Sequence, residues 1–417
     1  MQLPEDFVRE TRQLMGEARF NSYLEAFHEE APVSIRLNVT GGRFFCDIPG
    51  DVTKEPSPCY MPVPWCPEGL YLEGRPQFTF DPLFHAGCYY VQEAASMFIC
   101  HVLRQFIKEP INMLDMCAAP GGKSTAARSV LLQGSTLVSN EPIPTRAQIL
   151  LENITKWGAP NCIVTNNYPR DFKKTKAKFD LILCDVPCSG EGMFRKDPAT
   201  ISEWSVQNVE KCWRLQREIV ADAWECLQPG GILIYSTCTF NAKENEENVR
   251  WIMDTYDAEP LDIPIDPSWH ITGSLLPGFD APVYRFIPGI TRSEGLFVCV
   301  MKKRGERLEV RGKRNDLRQL QGLSILSPLT SNLSPLNIDL PYSEALKYLR
   351  GEALVLPADA PRGIITVTYK GIPLGPVKNI GNRANNLYPK PWRIKTTHLP
   401  TEPVEILSKI YSLQSKI

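Results

Sequence analysis

Apolar residues recur at helical spacing through the first 45 or so positions, at Phe7, Leu14, Phe20, Tyr23, Leu24 and Phe27, and the strand-like SIRLN of 34–38 follows them. This pattern predicts a small leading domain of helix and strand. The next stretch, EPSPCYMPVPWCPEG, carries Pro56, Pro58, Pro62, Pro64 and Pro67, which suit neither a helix interior nor a central strand, so it reads as a connector. From Gly87 the pattern changes to a helix over YYVQEAASMFICHVLRQF, an apolar strand INMLDMC, a glycine turn and a second helix. Strands LVSNE, CIVTNN and DLILCDVP come next, then a long helix over 206–227, the turn QPGG, and strands ILIYSTC and FVCVMKK. Strands alternating with helices predict a parallel sheet of Rossmann-like type. Beyond it lie a basic run (Lys302, Lys303, Arg304, Arg307, Arg311, Lys313, Arg314, Arg318) and a Ser/Leu/Pro segment that reads as a linker. A short helix, SEALKYLRG, and strands at ALVLP and IITVTYKG predict a small β-rich module at the end. The expected division is 1–80, 81–302, 303–338 and 339–417.

A chain of 417 residues is long enough for two or three cores, and 43% hydrophobic with 22% charged residues is the balance of a globular protein. No apolar run approaches the ~18 residues of a membrane span, and the start, MQLPEDFVRE, lacks the features of a secretory signal. A cytoplasmic protein without a membrane partner is expected. The 13 cysteines have no regular spacing and no C-x-x-C pair, and His28, His85, His101, His270 and His398 share none either. Reduced thiols, no metal and a monomer are the expectation. The net charge of −1 hides an asymmetry: residues 301–417 hold 19 Lys+Arg against 9 Asp+Glu, while 1–300 hold 27 against 38. A basic end module suits sequence-independent contact with nucleic-acid phosphates.

The turn after INMLDMC places Gly121 and Gly122 between a strand ending at Asp115 and a helix starting near Ser124, which is the arrangement of a nucleotide cradle. A phosphate loop would need glycine where Cys117 stands, and G-x-G-x-x-G is missing, so ATP and a nicotinamide dinucleotide are disfavoured. S-adenosylmethionine, a cofactor without phosphate, fits better. Glu141, 19 residues after Gly122 at the next strand end, is placed to accept the ribose hydroxyls.

Two further strand ends carry thiols. DLILCDVPCSGEG brings Asp185, Pro187 and Cys188 to the carboxyl edge of the sheet, and ILIYSTCTF brings Cys238. Carbon 5 of cytosine is a poor nucleophile. Addition of a thiolate at carbon 6 creates an enamine whose carbon 5 can take a sulfonium methyl, and a second group then helps to release the product. One cysteine attacks and the other assists, in an order that spacing leaves open. Asp185 is placed to hydrogen-bond N3 and N4 of the base. Cys100, Cys162, Cys184 and Cys226 read instead as small apolar core residues. Arg195 and Lys196 are candidate phosphate contacts, and Asn241 with Glu244 forms an N-x-x-E helix start, so that these two cap rather than catalyse.

Taken together, YYVQEAASM, DMCAAPGGKS, LCDVPCSGEG, LQPGG and YSTCTFNAKENEENV resemble the Nol/Nop/Sun family of RNA cytosine-C5 methyltransferases. GEGMFRKDP and LGPVKNIGNRANNLYPKPWR resemble its bacterial RsmF-type branch, whose members methylate 16S ribosomal RNA, and the likeness runs over nearly the whole chain. The resemblance implies a Rossmann-like S-adenosylmethionine-dependent domain between an RNA-recognition-like α+β N-terminal domain and a PUA-like C-terminal barrel. It implies Cys238 as nucleophile and Cys188 as the group assisting release. Its cofactor contacts fall on Cys117, Ala118, Ala119, Pro120, Gly121, Gly122, Lys123, Glu141 and Asp185, and Lys123 also approaches the reacting centre. A further acidic contact near the third strand is replaced by Asn167, whose amide oxygen can still accept from an adenine amino group. Tyr388, Lys390, Trp392 and Arg393 are the residues of the end module expected to touch RNA. The expected partner is ribosomal RNA or the small ribosomal subunit. Transfer RNA, a catalytically idle RNA-binding assembly factor and a dehydrogenase are the rival readings.

Overall fold

The computed structural model describes residues 3–39, 60–175, 177–305, 320–326, 336–396, 398–400, 402–404 and 406–407. Pro56, Pro58, most of the basic run and most of the linker lie outside them.

The central sheet runs in the order Ala258–Pro260, Leu296–Lys303, Leu227–Thr237, Phe179–Asp185, Asn112–Asp115, Thr136–Asn140, Cys162–Thr165, Ile325–Leu326, with Tyr284–Phe286 paired to Leu296–Lys303. Its five inner strands are parallel, as their continuous apolar runs predict: Met113, Leu114, Leu181, Leu183, Leu233 and Ile234 are all buried. Leu296–Lys303 differs from the expected parallel set, because it enters antiparallel with Phe297 opposite Thr237. The QPGG segment is not a free turn but the opening of Leu227–Thr237, where the pairing with Phe179–Asp185 shifts register. Strand order reverses between Asn112–Asp115 and Phe179–Asp185, and this switch point opens a crevice at the carboxyl ends of the strands. Helices flank the sheet with local signals that explain their limits. Pro144 starts Pro144–Trp157 and Gly158, with φ 72°, ends it. The Ser205 hydroxyl caps Val206–Cys226 by accepting the Asn208 N–H at 3.1 Å.

The proline-rich stretch is a correction. Tyr60–Val63 and Cys66–Leu72 form a hairpin in a four-stranded antiparallel sheet, ordered Tyr60–Val63, Cys66–Leu72, Val33–Leu37, Tyr89–Val91. Its prolines are tolerated because Pro62 lies on the edge strand and Pro67 precedes the residues, Gly69 to Leu72, that pair with Val33–Leu37. Tyr89–Val91, expected as the start of a helix, completes this sheet, and the helix begins only at Phe98. The leading module therefore runs past residue 80. In the end module Gly363–Tyr369 and Ile372–Asn379 form the main pair, whereas ALVLP contributes a single bridge, Leu354 to Ala384.

The three units share cores. Phe7, Phe20 and Tyr23 of the first two helices pack on Phe194 and Phe240, with the Tyr23 and Phe240 rings 5.3 Å apart. Leu346, Tyr348 and Ile365 of the end module share a cluster with Ile35, Leu72 and Tyr89 of the leading sheet. Arg36 ties that sheet to the central domain. Fully buried, it donates to Gln92 Oε1 (2.8 Å), Thr125 Oγ1 (2.7 Å) and Ser129 Oγ (3.0 Å), reaches the Gly122 carbonyl at 3.4 Å, and lies 4.4 Å from the Trp157 ring centroid. Burying a cation costs several kcal/mol unless such partners replace water.

Candidate active site

The glycine turn lies at the switch point. Gly121 adopts φ 111°, a conformation that side chains resist, and a Cβ there would stand 3.2 Å from Leu150 Cδ1. A Cβ on Gly122 would meet Tyr90 at 3.4 Å, so the turn is pressed between helix Pro144–Trp157 and the leading sheet. Asp115, wholly buried below it, accepts the Ser124 hydroxyl at 2.7 Å on Oδ2, while Oδ1 has no partner. Burial, opposed by Ser124, pushes the Asp115 carboxyl up to about 7. Glu141 is buried at the neighbouring strand end, where its Oε1 accepts the Ile143 N–H at 3.0 Å. Ile143 itself is 48% exposed beside it, an apolar face that sequence reasoning missed. At this sheet edge Glu141 supplies a buried acid and Ile143 an exposed apolar face, a pair that fits a neutral heteroaromatic group with a diol better than a phosphate.

On the other side of the switch point the two thiols meet. Cys188 Sγ lies 3.1 Å from Cys238 Sγ and accepts the Cys238 N–H at 3.3 Å. The hydrogen bond to Cys238, with burial behind it, holds the Cys188 thiol well above its usual range. Lys123 Nζ donates to Asp185 Oδ2 at 2.8 Å, and the Ser236 hydroxyl donates to Oδ1 at 2.7 Å. Burial works against the ammonium of Lys123, but Asp185 and then Cys238 outweigh it and its pKa is raised.

Two buried carboxylates brace the thiol loops, and this the sequence did not disclose. Glu244 Oε2 accepts the Ser189 N–H, next to Cys188, at 3.1 Å and the Gln216 amide at 2.6 Å. Glu191 Oε2 accepts the Phe240 and Asn241 N–H groups, beyond Cys238, at 2.7 and 2.9 Å. The Asn241 amide donates to both acids, at 2.8 and 2.9 Å, and its Oδ1 accepts the Glu244 N–H at 2.9 Å; this contact closes a turn, whereas the helix begins only at Glu246 after Asn245, so the expected N-x-x-E helix start is a correction. Gly192 allows the close approach: a Cβ there would be 2.7 Å from Gly295 Cα and 2.8 Å from the Cys238 carbonyl.

Burial and then the charge of Glu191 push Glu244 up to about 7 from an ordinary 4.5. The folded chain thus holds a proton that the unfolded chain releases, and this site's contribution to stability falls as pH rises from about 4.5 to about 7. Glu244→Gln is expected to reduce the slope of Tm against pH in that window, leaving the share of Asp115; an unchanged slope in thermal melts from pH 5 to 8 would refute the protonated brace.

Along its length the chain matches the N-terminal domain of 16S rRNA methyltransferase RsmF over residues 3–94, 16S rRNA methyltransferase RsmB/F over 106–302, and the methyltransferase RsmF PUA domain over 335–394. The chain belongs to the RsmB/RsmF methyltransferase family. Ribosomal RNA small subunit methyltransferase F of Serratia proteamaculans is 33% identical over 314 residues, covering 72% of this chain and 63% of that protein. Its namesake in Cronobacter sakazakii is 36% identical over 253 residues, covering 58% and 51%. The matches therefore span less than two thirds of these relatives' own length. A crystal structure of a methyltransferase homologue from Pyrococcus horikoshii superposes with a TM-score of 0.58 at 26% identity, over 72% of this chain and 95% of that one. NSun6 from the same organism, crystallised with SFG, shares the fold with a TM-score of 0.57 at 20% identity, over 73% and 99%. The fold is that of the S-adenosylmethionine-dependent methyltransferases.

As an RsmB/RsmF member the chain carries its leading module to residue 94, in keeping with the strand Tyr89–Val91. Among the sequence candidates, Cys117 to Lys123, Glu141, Asp185, Cys188 and Cys238 converge on the crevice. Asn167 sits at the adjoining strand end with its amide committed to the Ser324 backbone. Arg195 is a correction: only 8% exposed, it pairs with Glu294 at 2.6 Å and donates to the Ala26 and Ser293 carbonyls, so it locks the seam with the leading helices rather than facing solvent. Tyr388 is another, being buried against Tyr348 and Trp392. Arg393 folds over Gly351 and donates to the Tyr388 carbonyl, whereas Lys390 and Lys196 are exposed. Among the described residues, no helix is long and apolar enough to cross a membrane, and no group of three or more His, Cys, Asp or Glu could hold a metal ion.

Proposed function

We propose that the chain methylates carbon 5 of cytosine in RNA, with 16S ribosomal RNA as substrate, through a covalent bond between Cys238 and carbon 6 of the base. The observation that carries this reading is the contact of 3.1 Å between Cys188 and Cys238 beside the Lys123–Asp185 pair. Bound S-adenosylmethionine supplies an electrophilic methyl group. Cys117 to Gly122 would hold it, Glu141 would accept its ribose hydroxyls, and Ile143 would lie against its adenine. The Cys238 thiolate forms a bond to carbon 6 and opens the 5,6 double bond, with Lys123 donating toward N3, where negative charge would collect, and Asp185 accepting from the N4 amino group. Carbon 5 takes the methyl group. Cys188, as thiolate in this step, takes the carbon-5 proton; the electron pair of that C–H bond restores the 5,6 double bond and the C6–S bond breaks to release Cys238 as thiolate. The order in which Cys238 attacks and Cys188 assists is the one implied by the motifs STCTF and DVPCSG. Among the exposed cations of the end module, Lys390 remains a candidate for phosphate contact.

Bisulfite sequencing of RNA from a strain lacking the gene tests the substrate. Loss of cytosine-5 methylation in 16S RNA, restored by the native gene, is expected. Unchanged ribosomal cytosines with loss in transfer RNA would replace the substrate, and no change in either would refute the activity.

A further inference from the structure

Residues 320–326 follow the last strand of the methyltransferase domain in sequence, yet they return to the opposite edge of its sheet. Ile325–Leu326 adds there antiparallel to Cys162–Thr165, with Ile325 opposite Thr165 and Leu326 opposite Val164. One residue, Ser324, is held through both its N–H and its carbonyl. The Ser324 carbonyl accepts the Asn166 N–H at 3.0 Å and Asn167 Nδ2 at 3.1 Å, and the Ser324 N–H donates to Asn167 Oδ1 at 2.9 Å. Both ends of the Asn167 amide are thereby used. The Asn167 backbone is held in turn by Asn140, whose Oδ1 accepts its N–H at 3.1 Å and whose Nδ2 donates to its carbonyl at 2.9 Å. Asn140 immediately precedes Glu141. Beyond the clip, Leu326 packs against the cluster formed by Ala118 and Ala119 of the glycine turn with Leu150, Ile154 and Val164. Leu320, at the start of the segment, is buried in the core cluster that contains Phe172 and Ala177.

We infer that residues 320–326 form the outer wall of the cofactor pocket, and that the Asn167–Ser324 clip sets cofactor affinity by holding this wall against the turn at Ala118 and Ala119. The inference rests on the S-adenosylmethionine reading above. Asn167 acts as a positioning residue: its amide is spent on Ser324, and the wall it holds supports the turn and the strand end that carries Glu141. Because segment and ligand share the same turn, docking of one stabilises the binding of the other, and the coupling is reciprocal.

The chemistry of an amide makes the test selective. Asn167→Asp keeps an acceptor for the Ser324 N–H but sets a carboxylate oxygen against the Ser324 carbonyl, so the clip breaks; an aspartate reading an adenine amino group directly would bind as well or better. Calorimetric titration of the full chain with S-adenosylhomocysteine is the measurement, with thermal melts confirming that each variant folds. Asn167→Asp and Leu326→Ala are each expected to weaken binding by about tenfold, and hydrogen exchange at the 324–326 amides is expected to slow when the ligand is added to the native chain. Native affinity in Leu326→Ala, or unchanged or tighter binding in Asn167→Asp, would overturn the wall. Should either substitution unfold the chain, exchange at 324–326 in the native protein decides alone, and exchange indifferent to bound ligand overturns the proposal. Absence of binding to the native chain would instead refute the cofactor reading on which it stands.

Discussion

Cys238→Ala is expected to lower methyl transfer by at least about 10⁴-fold and to remove every covalent protein–RNA species, because the bond to carbon 6 is assigned to its sulfur and only the release step to Cys188. Cys188→Ala is expected to behave differently. Its loss leaves the attacking sulfur in place, at the cost of the thiol 3.1 Å away. Turnover should fall by about 10² to 10³, while a covalent adduct accumulates as a band resistant to denaturant and sensitive to ribonuclease. The comparison is made on one gel with labelled cofactor and 16S RNA. Equal loss of adduct in both variants would reverse or dissolve the division of labour between the two sulfurs.

Asp185→Asn is expected to reduce kcat by about 10² to 10⁴ with a smaller effect on folding, since the side chain keeps its shape and the Ser236 hydroxyl can still donate to its amide oxygen. The change removes the negative charge that sustains the buried ammonium of Lys123. Without it burial prevails, and the pKa of Lys123 drops. The alkaline limb of the pH–kcat profile should therefore move to lower pH. A merely structural aspartate would lower yield or Tm without moving that limb, and native kcat in Asp185→Asn would exclude the residue from the chemistry.

What the chain disclosed in advance follows from range. Asp115, Gly121, Asp185, Cys188 and Cys238 were legible because each stands at or within a few residues of the end of a strand whose apolar run declares itself, and strand ends on one side of a parallel sheet must converge. The brace was hidden because Glu244 reaches Ser189 across 55 positions, and nothing local distinguishes it from a helix-capping acid. Prolines at 62 and 67 concealed a hairpin, since edge position is a property of the finished sheet. Arg195 and Tyr388 had the residue types of RNA contacts, but the leading helices and the end helix cover them, so tertiary packing decided their role. Ile325–Leu326 lay inside a segment whose composition reads as linker, and its two residues of pairing are too short to show a period of two.

Arg36 bears on how the chain can be cut. Its guanidinium has neutral oxygens and an indole face around it, and four of those five groups, at Gly122, Thr125, Ser129 and Trp157, belong to the methyltransferase domain. A shortened chain that begins after the leading sheet would expose an indole and three oxygens shaped to receive a cation that no longer arrives, directly behind the turn that closes on the cofactor. The catalytic domain is thus not a portable cassette. Swapping the leading module between relatives would have to carry this one plug with it.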